Sequence, residues 1–316
     1  MPSNPYPLGA LPARFRRQRL LIVGCGDIGL RVARLLGGAS RAGGRLRLLA
    51  LTSSGERVPV LRAAGVLPLR GDLDEPASLA RLGGLAQRVL HLAPPPAEGA
   101  GPAAWWLDPR STALARALRR RSPPAALVYA STTGVYGDCQ GAWVTETRPL
   151  RPVTARAQRR ANAERAMRHL GRGAVRVSIL RVPGIYAGDR PGGTPRARLA
   201  QGLPTLRAED DVFTNHIHAD DLARACLLAL WRGRAQRAYN IADASAMKLG
   251  EYLDFAADLY GLPRPPRMAR ARLQERLTPA RMGFLGESRR LVTRRMEQEL
   301  RLRLRWPTVR EGLQRG

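Results

Sequence analysis

Three glycines near the start of the chain have the spacing of a phosphate-binding turn. Gly24, Gly26 and Gly29 form a G-x-G-x-x-G pattern between a short apolar run and a segment with helical periodicity. The first glycine permits a tight turn, the second lets the backbone approach a pyrophosphate, and the third allows the helix to pack close to the strand. Unpaired N–H groups at the helix N-terminus attract the phosphates. The pattern predicts a dinucleotide site that also includes Asp27 and Ile28; its alternative is a glycine-rich turn in another kind of α/β protein.

A second set of polar residues follows the next predicted strand, 46–52. Sites that prefer NAD usually place a carboxylate at the end of this strand, where it binds the ribose 2′-hydroxyl. Here the strand ends in Thr52, Ser53 and Arg57 follow, and the first carboxylate, Glu56, lies beyond the expected place. Hydroxyl donors and a guanidinium suit a 2′-phosphate. The sequence therefore favours NADP(H) over NAD(H), unless Arg57 is simply one of many surface arginines.

Two further loops complete the predicted cofactor site. Asp72 and Leu73 close the third strand, where the adenine is expected, and Ala93 and Pro94 follow the fourth strand. The three prolines at 94–96 cannot continue a helix or a strand ladder, so they form a rigid loop. In open α/β sheets, ligands bind at the carboxyl ends of the strands. All four residues are therefore predicted to contact the dinucleotide.

Apolar strands and amphipathic helices alternate along the first half of the chain, which predicts a parallel sheet. We expect an α/β fold, a Rossmann-like doubly wound parallel sheet with a smaller C-terminal substrate lobe. The predicted division is a loose basic N-terminal arm at 1–18, a dinucleotide-binding lobe at 19–186 and a substrate lobe at 187–316, within which 213–242 returns to the sheet. The 316 residues suffice for such a fold with a substantial core.

The composition argues against several classes of protein. Hydrophobic residues make up 44% of the chain and charged residues 25%, as in ordinary globular proteins. No apolar run approaches the roughly 20 residues of a membrane-spanning helix, and the N-terminus has no secretory signal pattern. Cys25, Cys139 and Cys226 lie far apart and form neither a zinc motif nor a disulfide framework. We expect a cytoplasmic protein without a membrane partner or a metal site.

The net charge of +28 raises the question of nucleic-acid binding. Lys248 is the only lysine, so the excess is arginine, scattered among abundant alanine, glycine, proline and leucine. A GC-rich genome tends to encode such a mixture. No basic segment has the interleaved aromatic residues that stack on bases. Specific nucleic-acid binding is not predicted, whereas non-specific electrostatic binding to polyanions is expected at low salt.

Six segments, taken in order, resemble the extended and atypical short-chain dehydrogenases/reductases, also called the NAD-dependent epimerase/dehydratase family. They span residues 20 to about 242, and their order is more specific than any one of them. The segments are GCGDIG from Gly24, GDL from Gly71, STTGVYGD from Ser131, RVPGIYAGDR from Arg181, HIHADDLARA from His216 and AYNIAD from Ala238. The resemblance implies hydride transfer between a nicotinamide dinucleotide and a small-molecule substrate that the sequence does not identify.

The resemblance also gives the catalytic positions, where this chain departs from the family. The family uses a serine or threonine, a tyrosine that transfers a proton, and a lysine four residues later. Thr132 falls at the hydroxyl position, but Arg156 takes the tyrosine position and Arg160 the lysine position, counted back from Glu164. A guanidinium at position 160 can bind ribose or phosphate, whereas one at position 156 cannot transfer protons near pH 7. Tyr136 is either a substitute proton donor or a packed residue of the cleft wall.

Two functions remain open on this reading. The first is an NADP(H)-dependent oxidoreductase or epimerase relative with a reorganised site, in which Thr132, Arg160 and the cleft loops act. The second is a non-catalytic dinucleotide-binding sensor or scaffold, and a homodimer is compatible with either. The histidines and carboxylates of 216–221 resemble a metal cluster but are predicted to form a strand end and a helix N-cap.

Overall fold

The computed structural model of the chain describes residues 18–37, 46–276 and 285–315. All of the predicted arm at 1–18 except its last residue lies outside the described residues. Along the described chain the strands are β1 (Gln18–Val23), β2 (Leu46–Thr52), β3 (Leu67–Arg70), β4 (Arg88–His91), β5 (Ala126–Thr132), β6 (Trp143–Val144), β7 (Arg176–Val182), β8 (Gly184–Tyr186), β9 (Thr205–Leu206), β10 (His216–His218), β11 (Arg237–Asn240), β12 (Arg267–Met268) and β13 (Arg290–Leu291).

The α-helices are α1 (Asp27–Leu35), α2 (Arg57–Ala63), α3 (Pro109–Arg119), α4 (Ala155–Leu170), α5 (Arg196–Ala200), α6 (Ala219–Arg232), α7 (Leu249–Tyr260), α8 (Arg270–Arg276), α9 (Arg294–Gln298) and α10 (Val309–Arg315). Short 3-10 helices lie at Pro76–Leu82, Pro102–Ala104, Thr133–Tyr136 and Ala208–Asp210.

Seven parallel strands form the central sheet, in the order β11-β7-β5-β4-β1-β2-β3. The chain passes from β1 to β2 and β3 on one side, then crosses to β4 and continues outward through β5, β7 and β11. The strand order therefore reverses between β1 and β4, whose last residues, Val23 and His91, are register partners. Ligands of open α/β sheets bind beside such a point. The predicted doubly wound α/β fold is confirmed.

The sequence of β1 explains why the sheet is covered on both faces. Leu20 and Ile22 pack in the core shared with α1 and α6, whereas Leu21 and Val23 pack in the core shared with α3 and α4. All four side chains are fully buried. Successive side chains on a strand alternate between faces, so an unbroken apolar run indicates a strand buried on both sides. Each such burial stabilises the fold by about 1.5–3 kcal/mol.

The C-terminal part of the chain returns to the sheet and also forms a smaller cluster. β11 pairs with β7 and α6 packs against α1, so these elements of 213–242 belong with the central sheet. α7 packs with α5 and α10 around Tyr186, Leu253 and Val309. The strand pairs β8–β10, β9–β12 and β6–β13 join segments that are distant in sequence. The lobe boundary between 186 and 187 stays a prediction.

Candidate functional site

The turn between β1 and α1 uses its three glycines in different ways. Gly24 has a φ of +84°, and a Cβ there would lie 2.4 Å from the backbone nitrogen of Ala93. A Cβ on Gly29 would lie 2.9 Å from the sulfur of Cys25, so this glycine lets α1 pack closely against the turn. A Cβ on Gly26 would meet no atom within 4 Å. The backbone of Gly26 is therefore open to a ligand, as a phosphate-binding turn requires.

A cleft of about 420 Å³ opens at the carboxyl ends of β1, β2 and β4. Nine of the twelve residues predicted to contact a cofactor line it: Gly24, Gly26, Thr52, Ser53, Arg57, Asp72, Leu73, Ala93 and Pro94. Asp27, Ile28 and Gly29 form the first turn of α1 and are not among the residues that line it. For all twelve residues, contact with a cofactor stays a prediction.

The guanidinium of Arg57 lies at the end of the cleft that follows β2. Arg57 is partly buried and donates from Nη2 to the carbonyl oxygen of Cys25 at 2.6 Å, which holds it beside the glycine turn. Thr52 donates its hydroxyl to the carbonyl oxygen of Ser54 at 3.2 Å. Among the residues that line the cleft in the described chain, Asp72 is the only carboxylate, and it lies on the loop after β3. This end of the cleft offers a cation and hydroxyl groups to an anionic ligand.

Arg110 also lines the cleft, although the sequence gave no reason to single it out. It donates to the two carboxylate oxygens of Asp74 at 2.7 and 2.6 Å and to the carbonyl oxygen of Pro94 at 3.3 Å. These hydrogen bonds lower the pKa of Asp74. The signal that could have identified it is Asp108, whose side chain caps α3. A helix that follows β4 begins at the carboxyl edge of the sheet, so a residue in the first turn of that helix lies near the cleft. Arg110 thus ties α3 to the loops that border the cleft.

Asp27 is held by arginines of distant segments. Its carboxylate accepts hydrogen bonds from Arg31 at 3.0 Å and from Arg190 at 2.6 Å. Arg31 is buried, donates to Asp220 at 2.5 Å and also binds Asp189. This cluster joins the start of α1 to the loop after β8 and to the start of α6. Both carboxylate oxygens of Asp27 are thus engaged by arginines.

The end of β5 carries the predicted catalytic hydroxyl. Oγ1 of Thr132, the last residue of β5, accepts a hydrogen bond from the N–H of Gly134 at 3.4 Å. Arg160 on α4 reaches the same strand and donates from Nη1 to the carbonyl oxygen of Ala130 at 2.6 Å. Its Nε has no hydrogen-bond partner among the described residues. The structure thus brings Thr132 and Arg160 to one strand end, with the arginine tethered to the strand.

Tyr136 is buried, and its hydroxyl has two partners. It donates to Oδ1 of Asn240 at 2.7 Å and accepts from Nη1 of Arg181 at 2.9 Å. Arg181 in turn binds both carboxylate oxygens of Glu164, at 2.9 and 3.1 Å, within the protein interior. Burial raises the pKa of Tyr136 to about 12. The geometry favours the packed role over the role of proton donor.

The segment before β13 brings a carboxylate to the end of β5. A Cβ on Gly134 would lie 3.8 Å from Oε2 of Glu287 and 3.7 Å from Cγ2 of Thr132. Arg289 donates to Oε2 of Glu287 at 2.7 Å and to the carbonyl oxygen of Gly137 at 2.7 Å. Sequence reasoning assigned no role to Glu287 or Arg289, because they lie far along the chain from the strand that they meet.

The histidines of the segment at 216–221 are structural. His216 and His218 are buried in β10, and His218 caps α6 by accepting the N–H of Asp220 at 3.2 Å. The predicted strand end and N-cap are confirmed. Within the described ranges, no group of three or more His, Cys, Asp or Glu side chains could hold a metal ion. No helix in the same ranges is both long enough and apolar enough to cross a membrane.

Residues 20–242 match the model of the NAD dependent epimerase/dehydratase family. The chain belongs to this family. The resemblance that the six sequence segments carry is therefore confirmed. One curated relative is protein YeeZ of Escherichia coli (strain K12), which is 30% identical to this chain over 171 residues. The match covers 54% of this chain and 58% of YeeZ, so it spans less than two thirds of the relative's length.

Two solved structures extend the comparison to nearly the whole chain. A conserved protein of unknown function from Silicibacter pomeroyi has a TM-score of 0.73 at 28% identity and covers 94% of this chain and 96% of its own. UDP-glucuronic acid 4-epimerase from Bacillus cereus, solved in complex with NAD, has a TM-score of 0.71 at 16% identity with the same coverage. At that identity, the epimerase shows the shared fold alone.

Proposed function

We propose that the chain is an NADP(H)-dependent oxidoreductase of the epimerase/dehydratase type that acts on a small-molecule substrate in the cytoplasm. The observation that carries the proposal is the cleft, in which the glycine turn and the loops after β2, β3 and β4 meet beside the point of strand reversal. The open space at Gly26 fits a pyrophosphate. A bound nicotinamide dinucleotide would donate or accept the hydride. The NAD bound to the Bacillus cereus epimerase supports this class of cofactor.

The end of the cleft at β2 supports the phosphorylated form of the cofactor. Arg57 is fixed beside the glycine turn, and Thr52 and Ser53 supply hydroxyl groups on the same wall. A ribose 2′-phosphate needs a cation and hydrogen-bond donors, whereas a free 2′-hydroxyl is usually bound by a carboxylate at this place. A cytoplasmic, reducing location agrees with Cys25 and Cys139, which are buried and free.

The catalytic end of the proposed site lacks the family's tyrosine and lysine. The resemblance assigns their positions to Arg156, which is exposed, and Arg160, which is tethered to Ala130. Neither guanidinium transfers a proton near neutral pH. Thr132 would orient the substrate oxygen by a hydrogen bond, and the guanidinium of Arg160 would bind a ribose or phosphate oxygen. Positioning of this kind lowers the barrier to hydride transfer even without a proton relay.

A non-catalytic dinucleotide sensor or scaffold is the second candidate function. Two observations favour it, the tether that holds Arg160 to the strand and the two hydrogen bonds that occupy the hydroxyl of Tyr136. Both candidates need the same cofactor cleft. They differ in whether a bound dinucleotide exchanges a hydride with any substrate.

The test is a calorimetric titration of the purified chain with NADPH, NADP, NADH and NAD in about 0.2 M salt, which screens non-specific attraction to arginine. We expect saturable binding, tighter for the two phosphorylated forms. A panel of carbonyl compounds and nucleotide sugars, followed by the absorbance of reduced nicotinamide, then separates enzyme from sensor. If none of the four dinucleotides binds saturably, both candidate functions are wrong. Binding without any hydride exchange favours the sensor.

A further inference from the structure

We propose that Glu287, which the substrate-lobe segment before β13 delivers to the end of β5, replaces the family's tyrosine as the group that exchanges a proton with the substrate. The inference rests on the proposed function, because it needs a nicotinamide dinucleotide in the cleft. Its basis is a juxtaposition. The point where a Cβ on Gly134 would stand is 3.7 Å from Cγ2 of Thr132 and 3.8 Å from Oε2 of Glu287.

The carboxylate is held in place by contacts of the two residues that follow it in the sequence. Arg289 donates to Oε2 of Glu287 and, through its other terminal nitrogen, to the carbonyl oxygen of Gly137. The N–H of Ser288 donates to Oδ1 of Asp138 at 2.8 Å, and its carbonyl oxygen accepts the N–H groups of two residues of the same loop at 3.0 Å. The segment is therefore fixed to the loop that follows Thr132, which holds the carboxylate near the end of β5.

The direction of the Glu287 side chain also fits this role. Its neighbours Gly286 and Ser288 line a separate cavity of about 560 Å³, together with Asp138, Glu209 and other residues. Glu287 lines neither that cavity nor the dinucleotide cleft, and its carboxylate lies beside Gly134. One oxygen, Oε2, binds Arg289, whereas Oε1 has no hydrogen bond to any described residue. The Glu287 side chain is 9% exposed, and Oε1 is the oxygen that a substrate hydroxyl would meet.

The other side chains near the end of β5 are poor substitutes. Arg156 and Arg160 carry guanidinium groups, which offer hydrogen-bond donors and no acceptor. The hydroxyl of Tyr136 is buried between Asn240 and Arg181, and burial raises the pKa of the Cys139 thiol. A carboxylate is a common general base in enzymes and needs only hydrogen-bond reach of the proton that it takes.

The proposed step balances with the dinucleotide as oxidant. The substrate hydroxyl, oriented by Thr132, gives its proton to the carboxylate of Glu287 as the carbon–oxygen single bond becomes a carbonyl. The hydrogen on that carbon leaves with its electron pair to the oxidised nicotinamide, so the substrate loses two electrons and the dinucleotide gains them. In the reverse direction the protonated Glu287 returns the proton to the oxygen. Arg289 acts as a positioning residue that holds the carboxylate.

The test uses the charge of the oxidised nicotinamide ring, which the reduced ring lacks, and needs no substrate. A carboxylate beside that ring favours NADP over NADPH, so the ratio of the two dissociation constants measures its presence. We expect E287Q to shift this ratio against NADP by about three- to tenfold, as for charges several ångströms apart in a partly solvated site. E287D should keep most of the preference, because it keeps the charge. E209Q, which removes a carboxylate from the separate cavity, is the matched control and should leave the ratio unchanged.

Each outcome decides the inference. A shifted ratio in E287Q, with E287D and E209Q near wild type, supports it. An unchanged ratio in a folded E287Q overturns it while leaving the proposed function intact. Circular dichroism checks folding, and E287A serves as a second neutral variant if E287Q does not fold. If wild-type protein binds neither form, the proposed function itself has failed, and that result is distinct from an unchanged ratio.

Discussion

At the scale of single residues, Gly26 allows binding to be separated from folding. Its φ of −80° lies outside the left-handed region that favours glycine, and a Cβ there would meet no protein atom within 4 Å. We expect G26A to melt at the wild-type temperature and to bind dinucleotide about tenfold more weakly or worse, because the methyl group would displace the phosphates. G24A should lower both the melting temperature and the affinity, since its Cβ would meet Ala93. Melting curves and calorimetry check the pair. Wild-type affinity in G26A would show that no pyrophosphate lies on this turn.

Arg57 sets the expected preference for the phosphorylated cofactor. If its guanidinium binds a 2′-phosphate, R57A loses a hydrogen bond to a charged group worth about 1.5–3 kcal/mol, or roughly 10- to 150-fold in Kd for NADP. The Kd for NAD should change little, because NAD has no phosphate there. R62A removes the same charge from an exposed position on the same helix and serves as the control. Equal losses for NADP and NAD in R57A would contradict the assignment.

Which residues could be predicted depended on how the chain brings them together. Gly24, Gly26 and Arg57 were identified because a strand, its turn and the next helix form one local unit with a known geometry. Glu287 and Arg110 were not, because they reach the strand ends through contacts between segments distant in sequence. Neither is part of a spacing pattern that a single sequence displays.

At the scale of elements, the ion pair between Glu164 of α4 and Arg181 of β7 joins a helix to the central sheet. The pair lies near the end of β5, where the proposed catalytic residues are. Both side chains are almost fully buried. Removing one partner of a buried pair leaves an uncompensated charge, so E164Q should lower the free energy of unfolding by about 3–5 kcal/mol. Urea denaturation measures the change. D258N removes the partner of Arg264 in an exposed pair and should have no measurable effect. Similar stabilities of E164Q and wild type would contradict the buried pair.

The elements themselves were predictable to a large extent. The predicted strand at 46–52 coincides with β2, and the apolar run at 20–23 forms most of β1, because the central residues of a strand buried on both faces are apolar. The short pairs β9–β12 and β6–β13 could not be predicted. Two-residue strands carry no periodicity, and their partners lie far along the chain.

At the scale of the whole molecule, many of the arginines hold the fold together. A set of them donates to backbone carbonyl oxygens of other segments, and its members are Arg168, Arg176, Arg224, Arg232, Arg270, Arg289 and Arg295. A guanidinium has five donors, so it can bind several acceptors that no other side chain reaches together. This arrangement supports a structural origin for part of the net charge of +28 and gives no separate argument for nucleic-acid recognition.

The stability of the whole molecule should also depend on a single buried carboxyl group. Asp243 is 6% exposed and follows β11. Its Oδ1 accepts the N–H of Ser245 at 2.9 Å, and its Oδ2 has no hydrogen-bond partner among the described residues. Burial, assisted by the charge of Asp221, raises the pKa of Asp243 from 3.8 to about 7. Between these two values the folded chain holds a proton that the unfolded chain has released.

It follows that Asp243 makes the folded state less stable as the pH rises from about 4 to about 7, because the unfolded state binds fewer protons there. One proton corresponds to at most about 1.4 kcal/mol per pH unit. D243N cannot titrate, so its free energy of unfolding relative to wild type should increase steadily across this window and level off above it. Urea denaturation of both proteins at several pH values measures the difference, with D258N, an exposed site, as the control. Parallel pH profiles for D243N and wild type would mean that Asp243 is ionised in the folded chain.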